Sequence, residues 1–478
     1  MTSNIVKFVY KNKILEIKNP DTNETILNYV RTKLKKTGTK EGCAEGGCGA
    51  CTIVIGELEK NNIKYKAINS CIAFLPSLEG KQLILVEDLI FKNELHPVQK
   101  AMVNYHGSQC GFCTPGFVMS LFAMYKNFSS YKDEIIKDSI QGNLCRCTGY
   151  RPIVEAAKSL NKDSKRDFFA KDKKNTLKLL KKIKNRSIKI INNNKKYFAP
   201  KFTNELNKIL RSEPNSKLIS GGTDVSLIVT KERKDLNSLI YLNSIDELNY
   251  IKENKGFIEV GASTPLIKFE LFIKKYFPDF SEVLKRYGSV QIRNVCTIAG
   301  NIATASPIGD TLPLLLALDS QIIIKGKNKT QILPINGFFT SYRKTKLKKG
   351  QFIHSIRIPF LKQNIFKAYK ISKRIDDDIS SVCASFNIEI NKDKIKKIRI
   401  AYGGMSSTPK RAFNCEKVLV NSNISYKIIG KAKKLLEKDF KPITDTRATQ
   451  NYRMEVAKNL LEKCFSEVKQ KKNIRING

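Results

Sequence analysis

The order of apolar and polar positions divides this chain into stretches of different period. Residues 4–18 carry two short apolar runs around Lys11-Asn12-Lys13, the pattern of a β-hairpin. A helix is predicted from Thr25 to Leu34, where Ile26, Leu27, Val30 and Leu34 fall on one face. A glycine-rich loop, EGCAEGGCGAC, leads into the strand-like runs CTIVIGEL, YKAINSC and QLILVEDL. From His96 to about Leu160 the period becomes helical, in HPVQKAMVNYHG, TPGFVMSLFAMYKN, DEIIKDSIQG and RPIVEAAKSL. Thr114-Pro115 provides a helix start and Gly142-Asn143 a stop. Residues 161–187 are charged and lack Gly and Pro, which reads as a linker with helical character at TLKLLKKIK. Beyond it, KLISGGTDVSLIVTK runs from strand to helix, and VQIRNVCTIAGNIATASPIGDTLPLLLAL is a polar loop before an apolar helix. From about Gln363 the chain alternates as FKAYKIS, CASFNIEI and IRIAYGGM, then turns helical through DTRATQNYRMEVAKNLLEKCFSEV.

At 478 residues the chain is too long for one core and predicts about three domains. The start MTSNIVKFVYKNK has no charged-then-apolar leader pattern, and no apolar run approaches the roughly 20 residues that span a bilayer. The expectation is a cytoplasmic protein, off the membrane, with reduced thiols. The formal charge of +42 attracts any polyanion. The lysines are spread along the whole length, with one denser run at Lys171, Lys173, Lys174, Lys178, Lys181, Lys182 and Lys184. No helix-turn-helix, RNA-stacking or zinc-finger signature gives this charge a groove to read, so nucleic acid is not the expected partner. The charge is read as lysine filling a solvated surface, with an acidic partner subunit as the next explanation.

Eight of the twelve cysteines change the picture. Cys43, Cys48, Cys51 and Cys71 read C-x4-C-x2-C with a fourth cysteine further on, the spacing of a plant-type two-iron two-sulfur cluster. Cys110, Cys113, Cys145 and Cys147 form a second quartet, C-x2-C and then C-x-C. Zinc also takes four ligands, but its sites usually present separated C-x2-C pairs. A loop that wraps a cluster turns N–H groups toward sulfur, and Gly46, Gly47 and Gly49 suit the dihedrals this needs. With both quartets complete, His96 and His106 are expected to be structural, and Met119 and Met124 core filler. Two quartets imply two redox centres in series.

Two polar loops point to a phosphate-bearing ligand. The turn at Gly221, Gly222, Thr223 and Asp224 lets backbone approach a phosphate, although any strand-to-helix turn can carry two glycines and this is not the G-x-G-x-x-G of a dinucleotide fold. Thr297, Gly300, Asn301, Thr304, Ser306 and Asp310 crowd small polar groups into fourteen residues, which suits a ribose and pyrophosphate, or else a long loop capping a helix. Cys296 lies outside the quartets and is read as a small buried residue. Asp376, Asp377 and Asp378 are consecutive, so they cannot all face one cation, and a solvated loop is expected.

As a set, EGCAEGGCGACTIVI, INSCIAFLPSLEGK, HPVQKAM, QCGFCTPGFVMSL and GNLCRCTGYRPIVEA resemble the paired iron-sulfur domains of the xanthine dehydrogenase and aldehyde oxidase family of molybdenum hydroxylases. ISGGTDV, IEVGAST, CTIAGNIATASPIGD and FFTSYRKTKL resemble the flavin domain of the same family. The resemblance implies an α+β multidomain chain: a β-grasp ferredoxin-like 2Fe-2S domain at 1–88, a four-helix 2Fe-2S bundle domain at 89–160, a linker at 161–187, an α+β FAD-binding domain of the PCMH-like kind at 188–362 and a CO dehydrogenase flavoprotein-like C-terminal α+β domain at 363–478. It further implies that Leu218, Ile219, Ser220, Gly221, Gly222, Thr223, Asp224 and Val225 cradle the FAD diphosphate. Thr297, Ile298, Ala299, Gly300, Asn301, Thr304, Ser306 and Asp310 would line the rest, with Tyr287 against the flavin ring and Ile353 and Lys370 as further contacts. Gln109 matches a glutamine near the molybdopterin, and SKRIDDDISS a mobile loop governing dinucleotide access to the flavin.

The expected function is that of an iron-sulfur and FAD subunit carrying electrons from the molybdenum site of a molybdopterin-binding large subunit to NAD. That would support oxidation of hypoxanthine and xanthine to urate within a heterotetramer or larger assembly. The family's molybdopterin domain normally follows the flavin domains, whereas this chain stops at KNIRING, so the substrate pocket is expected on another chain. A subunit of a related aldehyde or aromatic hydroxylase is the nearest rival. A cluster-bearing nucleic-acid regulator would use the charge but not the two flavin loops.

Overall fold

The computed structural model describes residues 4–160, 167–184, 186–326, 329–360 and 364–471. The chain forms two compact units, Met1–Asp246 with Gly288–Cys296, and Glu247–Tyr287 with Thr297–Gly478. The segment 188–362, expected as one domain, therefore contributes to both units.

In the first unit the opening hairpin pairs Ile5–Tyr10 with Lys13–Lys18, and Lys11 and Asn12 turn it with φ of 46° and 60°, the two left-handed residues a tight hairpin needs. Gln82–Ile84, Thr52–Glu59 and Asn62–Asn69 complete a five-stranded sheet on the far side of Ile5–Tyr10. The helix Ile26–Thr32 begins one residue later than predicted because Thr25 caps it, accepting from Asn28 N–H at 3.1 Å, and it ends two residues earlier at the cap Lys33. Strand residues alternate between two cores: Ile53 and Ile55 pack with Phe8 and Val30, while Val54 packs with Phe117, Leu121 and Phe122. Burial on both faces is why Ile53, Val54 and Ile55 read as an unbroken apolar run.

The four predicted helices form, as Pro97–Asn104, Thr114–Asn127, Asp133–Ile140 and Arg151–Lys158. The expected linker is more ordered than a tether. Its described part makes the helices Phe168–Lys171 and Lys173–Ile183, whose Phe169, Leu180 and Ile183 enter the same core as the helical segment. Lys173, Lys174, Lys178, Lys181 and Lys182 are exposed, so the lysine run is the wet side of an amphipathic helix. Residues 161–166 and 185 of that stretch lie outside the described residues. A second sheet orders Ile188–Asn192, Lys195–Ala199, Ser238–Tyr241 and Lys217–Ile219, and its Ile190, Tyr197 and Leu239 share a core with Val6 and Phe8.

The second unit has an antiparallel sheet in the order Ile251–Asn254, Phe257–Gly261, Phe352–Pro359, Gln321–Gly326, Lys329–Pro334. Another antiparallel sheet, Asn364–Ile371, Val382–Asn391, Lys394–Gly403 and Lys410–Arg411, contains the three predicted strands. Helices Phe413–Leu419 and Tyr426–Asp439 pack there with Gln450–Gln470, and the first two had no counterpart in the apolar pattern that was read. Among the described residues no helix is long and apolar enough to cross a membrane.

Candidate functional site

Both cysteine quartets assemble. The sulfurs of Cys51 and Cys71 lie 3.2 Å apart, and Cys43 is within hydrogen-bonding reach of Cys48 and of Cys71. In the second quartet Cys110 meets Cys147, and Cys113 meets Cys145. None of the twelve cysteines is in a disulfide. The first quartet is linked in turn, Cys48 to Cys43 to Cys71 to Cys51, and the second stands as two pairs, so each brings together the four thiols that a two-iron cluster takes.

The backbone turns donors toward these sulfurs. Glu45 and Gly47 N–H point at Cys43 Sγ at 3.5 and 3.3 Å, and Thr148 N–H at Cys145 Sγ at 3.5 Å. Hydrogen bonds from Cys48 and Cys71, opposed by burial and aided by these N–H groups, hold the Cys43 thiol well below its usual range. Burial pushes Cys113 up to about 12; burial acts the same way on Cys145, but the Thr148 hydroxyl and N–H outweigh it and bring that thiol down. The wrapping requires left-handed backbone at Gly46 and Gly49, with φ of 80° and 71°, whereas Gly47 does not use that freedom. The donor set and its inward N–H groups fit a two-iron cluster at each quartet.

The two loops touch. Leu144 N–H donates to Cys48 C=O at 3.0 Å, so one hydrogen bond joins the residue before Cys145 to a cysteine of the first quartet. Cys51 and Cys71 are buried, while Cys110 and Cys147 are exposed. Val103, Tyr105, Phe112, Leu144 and Tyr150, near the second quartet in sequence, are also exposed, as is Gln109. His96 is structural: its Nδ1 accepts from Val98 N–H and its Nε2 lies 3.1 Å from Asp167, which also pairs with Lys126. His106 sits exposed in a left-handed turn, and Met119 and Met124 are in the core.

In the first unit Leu218 and Ile219 end a strand and Ser220 to Val225 form the turn. Among the described residues the N–H groups of Gly221, Gly222, Thr223 and Val225 have no hydrogen-bond acceptor, a set of open donors that fits a diphosphate. The glycines also answer to packing. A Cβ on Gly221 would stand 2.2 Å from Val295 O, and Gly222 has φ of 74° with Ile72 O 3.3 Å from its Cβ position. The helix beyond is one turn, Leu227–Thr230, so the donors belong to the turn rather than to a long helix.

In the second unit Thr297 caps the helix Ile298–Thr304, accepting from Gly300 N–H at 3.1 Å. Asn301 Nδ2 donates to the Tyr287 hydroxyl at 3.1 Å, and the Thr311 hydroxyl donates to Asn301 Oδ1 at 2.5 Å. Asp310 is already engaged by Lys370 Nζ and the Ser380 hydroxyl, both at 2.6 Å. Ile298, Ala299 and Ile353 are buried, while Thr304 and Ser306 are half-buried. Sequence reasoning missed Arg286, which donates to Ile375 O and Lys370 O at 2.7 and 2.8 Å and to Ser372 Oγ at 3.2 Å, spanning the SKRIDDDISS loop. Its neighbour Tyr287 was the only signal. Asp378 accepts from Arg374 and Ile379 N–H at 2.9 Å, a turn anchor rather than a cation ligand. Cys296 is buried, as expected.

Four family descriptions match the chain: a 2Fe-2S iron-sulfur cluster binding domain at 9–75, a 2Fe-2S binding domain at 85–158, the FAD binding domain in molybdopterin dehydrogenase at 190–361 and the CO dehydrogenase flavoprotein C-terminal domain at 367–468. Xanthine dehydrogenase of Blastobotrys adeninivorans is 33% identical over 81% of this chain and 35% of its own length, and that of Emericella nidulans 32% over 85% and 34%. The chain thus spans about a third of the length of the curated relatives it matches. Among solved structures, a carbon monoxide dehydrogenase from Hydrogenophaga pseudoflava aligns with TM-score 0.53 at 24% identity, over 56% of this chain and 94% of its own. Quinoline 2-oxidoreductase from Pseudomonas putida 86 aligns with TM-score 0.54 at 20% identity, over 58% and 98%, and both show a shared fold.

Proposed function

We propose that this chain, which carries the iron-sulfur and FAD-binding domains of the molybdenum hydroxylase family, is the electron-transfer subunit of a xanthine dehydrogenase. It takes electrons released when hypoxanthine and xanthine are oxidised to urate at the molybdenum site of a molybdopterin-binding partner, and hands them on to NAD. The observation that carries this reading is the contact between the two thiol loops, Leu144 N–H to Cys48 C=O at 3.0 Å, with Cys51 and Cys71 of one quartet buried and Cys110 and Cys147 of the other exposed. When bound, two 2Fe-2S clusters and FAD supply one-electron and hydride chemistry that no side chain of the protein offers.

The residues divide that task. Cys43, Cys48, Cys51 and Cys71 hold one cluster, and Cys110, Cys113, Cys145 and Cys147 the other. The open N–H groups of the turn within Leu218–Val225 take the FAD diphosphate. Thr297 to Asn301, Thr304, Ser306 and Asp310 line the rest, and Tyr287, Ile353 and Lys370 contact the flavin. The exposed Cys110 and Cys147, with Gln109, Phe112 and Leu144 beside them, form the face that meets the molybdenum subunit, where apolar residues exclude water from the crossing. The assembly we propose is a cytoplasmic heterotetramer or larger. Xanthine dehydrogenase is preferred over other hydroxylases because curated relatives at 30% identity or more, over most of this chain, carry that name.

The purified chain should reduce an artificial acceptor with NADH yet leave purines untouched. Adding the partner should restore purine-dependent NAD reduction and give a complex that persists at high salt. Purine turnover by the chain alone would overturn the two-subunit reading, and absence of NADH-driven reduction would overturn the flavin's role as the point of exchange with NAD.

A further inference from the structure

A side-chain network lies where the two thiol loops meet. Gln291, on the short helix Val290–Arg293, is completely buried. Its Nε2 stands 3.0 Å from Asn143 Oδ1, 3.1 Å from Ser120 Oγ and 3.3 Å from Thr52 Oγ1, so three acceptors share two N–H bonds. Its Oε1 has no partner among the described residues, which means the amide is oriented through its donor end. The acceptors are tied to one another: the Ser120 hydroxyl donates to Asn143 Oδ1 at 2.7 Å, and Asn143 Nδ2 and the Thr52 hydroxyl both donate to Gly49 C=O, at 3.1 and 2.6 Å.

Three members of the network stand within two residues of a quartet thiol, and a fourth is on the helix that follows one. Gly49 follows Cys48, Thr52 follows Cys51, Asn143 lies two residues before Cys145, and Ser120 is on the helix that begins after Cys113. The backbones have closed up around it. A Cβ on Gly49 would stand 2.2 Å from Gly142 O, one on Gly116 2.2 Å from Gly49 O, and one on Gly142 2.2 Å from Ser289 Cβ. Where backbones touch this closely there is no slack for a side chain to re-aim, and the relative position of the loops depends on how their buried polar groups are satisfied.

We infer that Gln291 is a positioning residue that sets the two thiol loops against each other, and with them the length of the electron path between the clusters. The inference rests on the two-cluster reading proposed above. Gln291 holds Asn143; the next residue, Leu144, makes the one hydrogen bond that crosses to Cys48. Without the Gln291 donor, Asn143 and Ser120 keep only each other and Gly49 C=O as partners, and the Leu144 N–H bond to Cys48 loses the anchor behind it.

Gln291→Met keeps the volume and removes the donor. The test measures iron and sulfide content, the paramagnetic signal of each reduced cluster, and the magnetic splitting between them, which falls steeply with their separation. The expected result is full iron, two signals of unchanged shape, and a splitting that narrows or vanishes. An unchanged splitting overturns the inference, because a purely stabilising residue would lower the unfolding temperature without moving it. Should Gln291→Met fail to fold, Asn143→Leu removes the acceptor through which Gln291 reaches Leu144, and there too an unchanged splitting overturns the inference. A parent protein holding only one cluster would sink the two-cluster reading itself, and iron analysis reveals that before any variant is made.

Discussion

Removing one charge from the buried pair Asp310 and Lys370 should unfold the second unit at a markedly lower temperature. Both side chains are almost wholly withdrawn from water, and Asp310 has each oxygen occupied, one by Lys370 Nζ and the other by the Ser380 hydroxyl, at 2.6 Å each. Asp310→Asn is nearly isosteric, so it leaves packing intact and strands an ammonium group with no counter-charge. Breaking one side of a buried pair costs about 3–5 kcal/mol. For a unit of this size each kcal/mol lowers the midpoint by about 2–4 °C, so the expected fall is about 6–20 °C. Lys370→Met added to Asp310→Asn removes the stranded charge, and the double variant should recover most of the loss, since apolar replacements of buried pairs are often neutral. Calorimetry is the assay, run with and without flavin because a ligand that binds only the folded state adds its own stabilisation. A midpoint within about 3 °C of the parent for Asp310→Asn, or a double variant no more stable than the single, would show that water or another group compensates Lys370.

Cys43→Ser should abolish one paramagnetic signal of the reduced protein and spare the other, and Cys145→Ser should do the reverse; loss of both from either change in folded protein would mean one shared site. His354 gives the second unit a pH dependence. Burial, reinforced by the charge of Lys325, lowers its pKa from 6.5 to about 4. The unfolded imidazole therefore takes its proton first as pH falls, so stability is complete above 6.5 and declines through the window down to about 4. His354→Gln should flatten the unfolding midpoint across that window, and an unchanged slope would assign the dependence to other groups.

Much of the first unit was legible because its determinants are local. Both thiol quartets announce themselves through residue type and spacing, and the helices from Pro97 to Lys158 through apolar period and the Thr114-Pro115 start. The linker was less legible: a lysine-rich stretch looks like solvated chain until Phe169, Leu180 and Ile183 find the apolar core of the preceding helices, which the stretch's own pattern does not display. Phe413–Leu419 and Tyr426–Asp439 went unread for a similar reason, since their apolar face is thin and gains meaning only against the sheet that begins at Asn364.

The sequence by itself determined the redox chemistry, because thiols in these spacings and glycines in these turns suit few other tasks. Tertiary structure alone decided how the loops are joined. No pattern near Gln291 foretells that its amide would lie among Thr52, Ser120 and Asn143, residues 239, 171 and 148 positions away. Nor does the run of small residues in EGCAEGGCGAC reveal that Gly49 is needed at a backbone contact with Gly142 as well as for its own turn. The physical reason is that spacing encodes what a segment can do within one or two turns of itself, whereas a buried hydrogen bond or a backbone contact between distant segments exists only after the hydrophobic cores have brought them together.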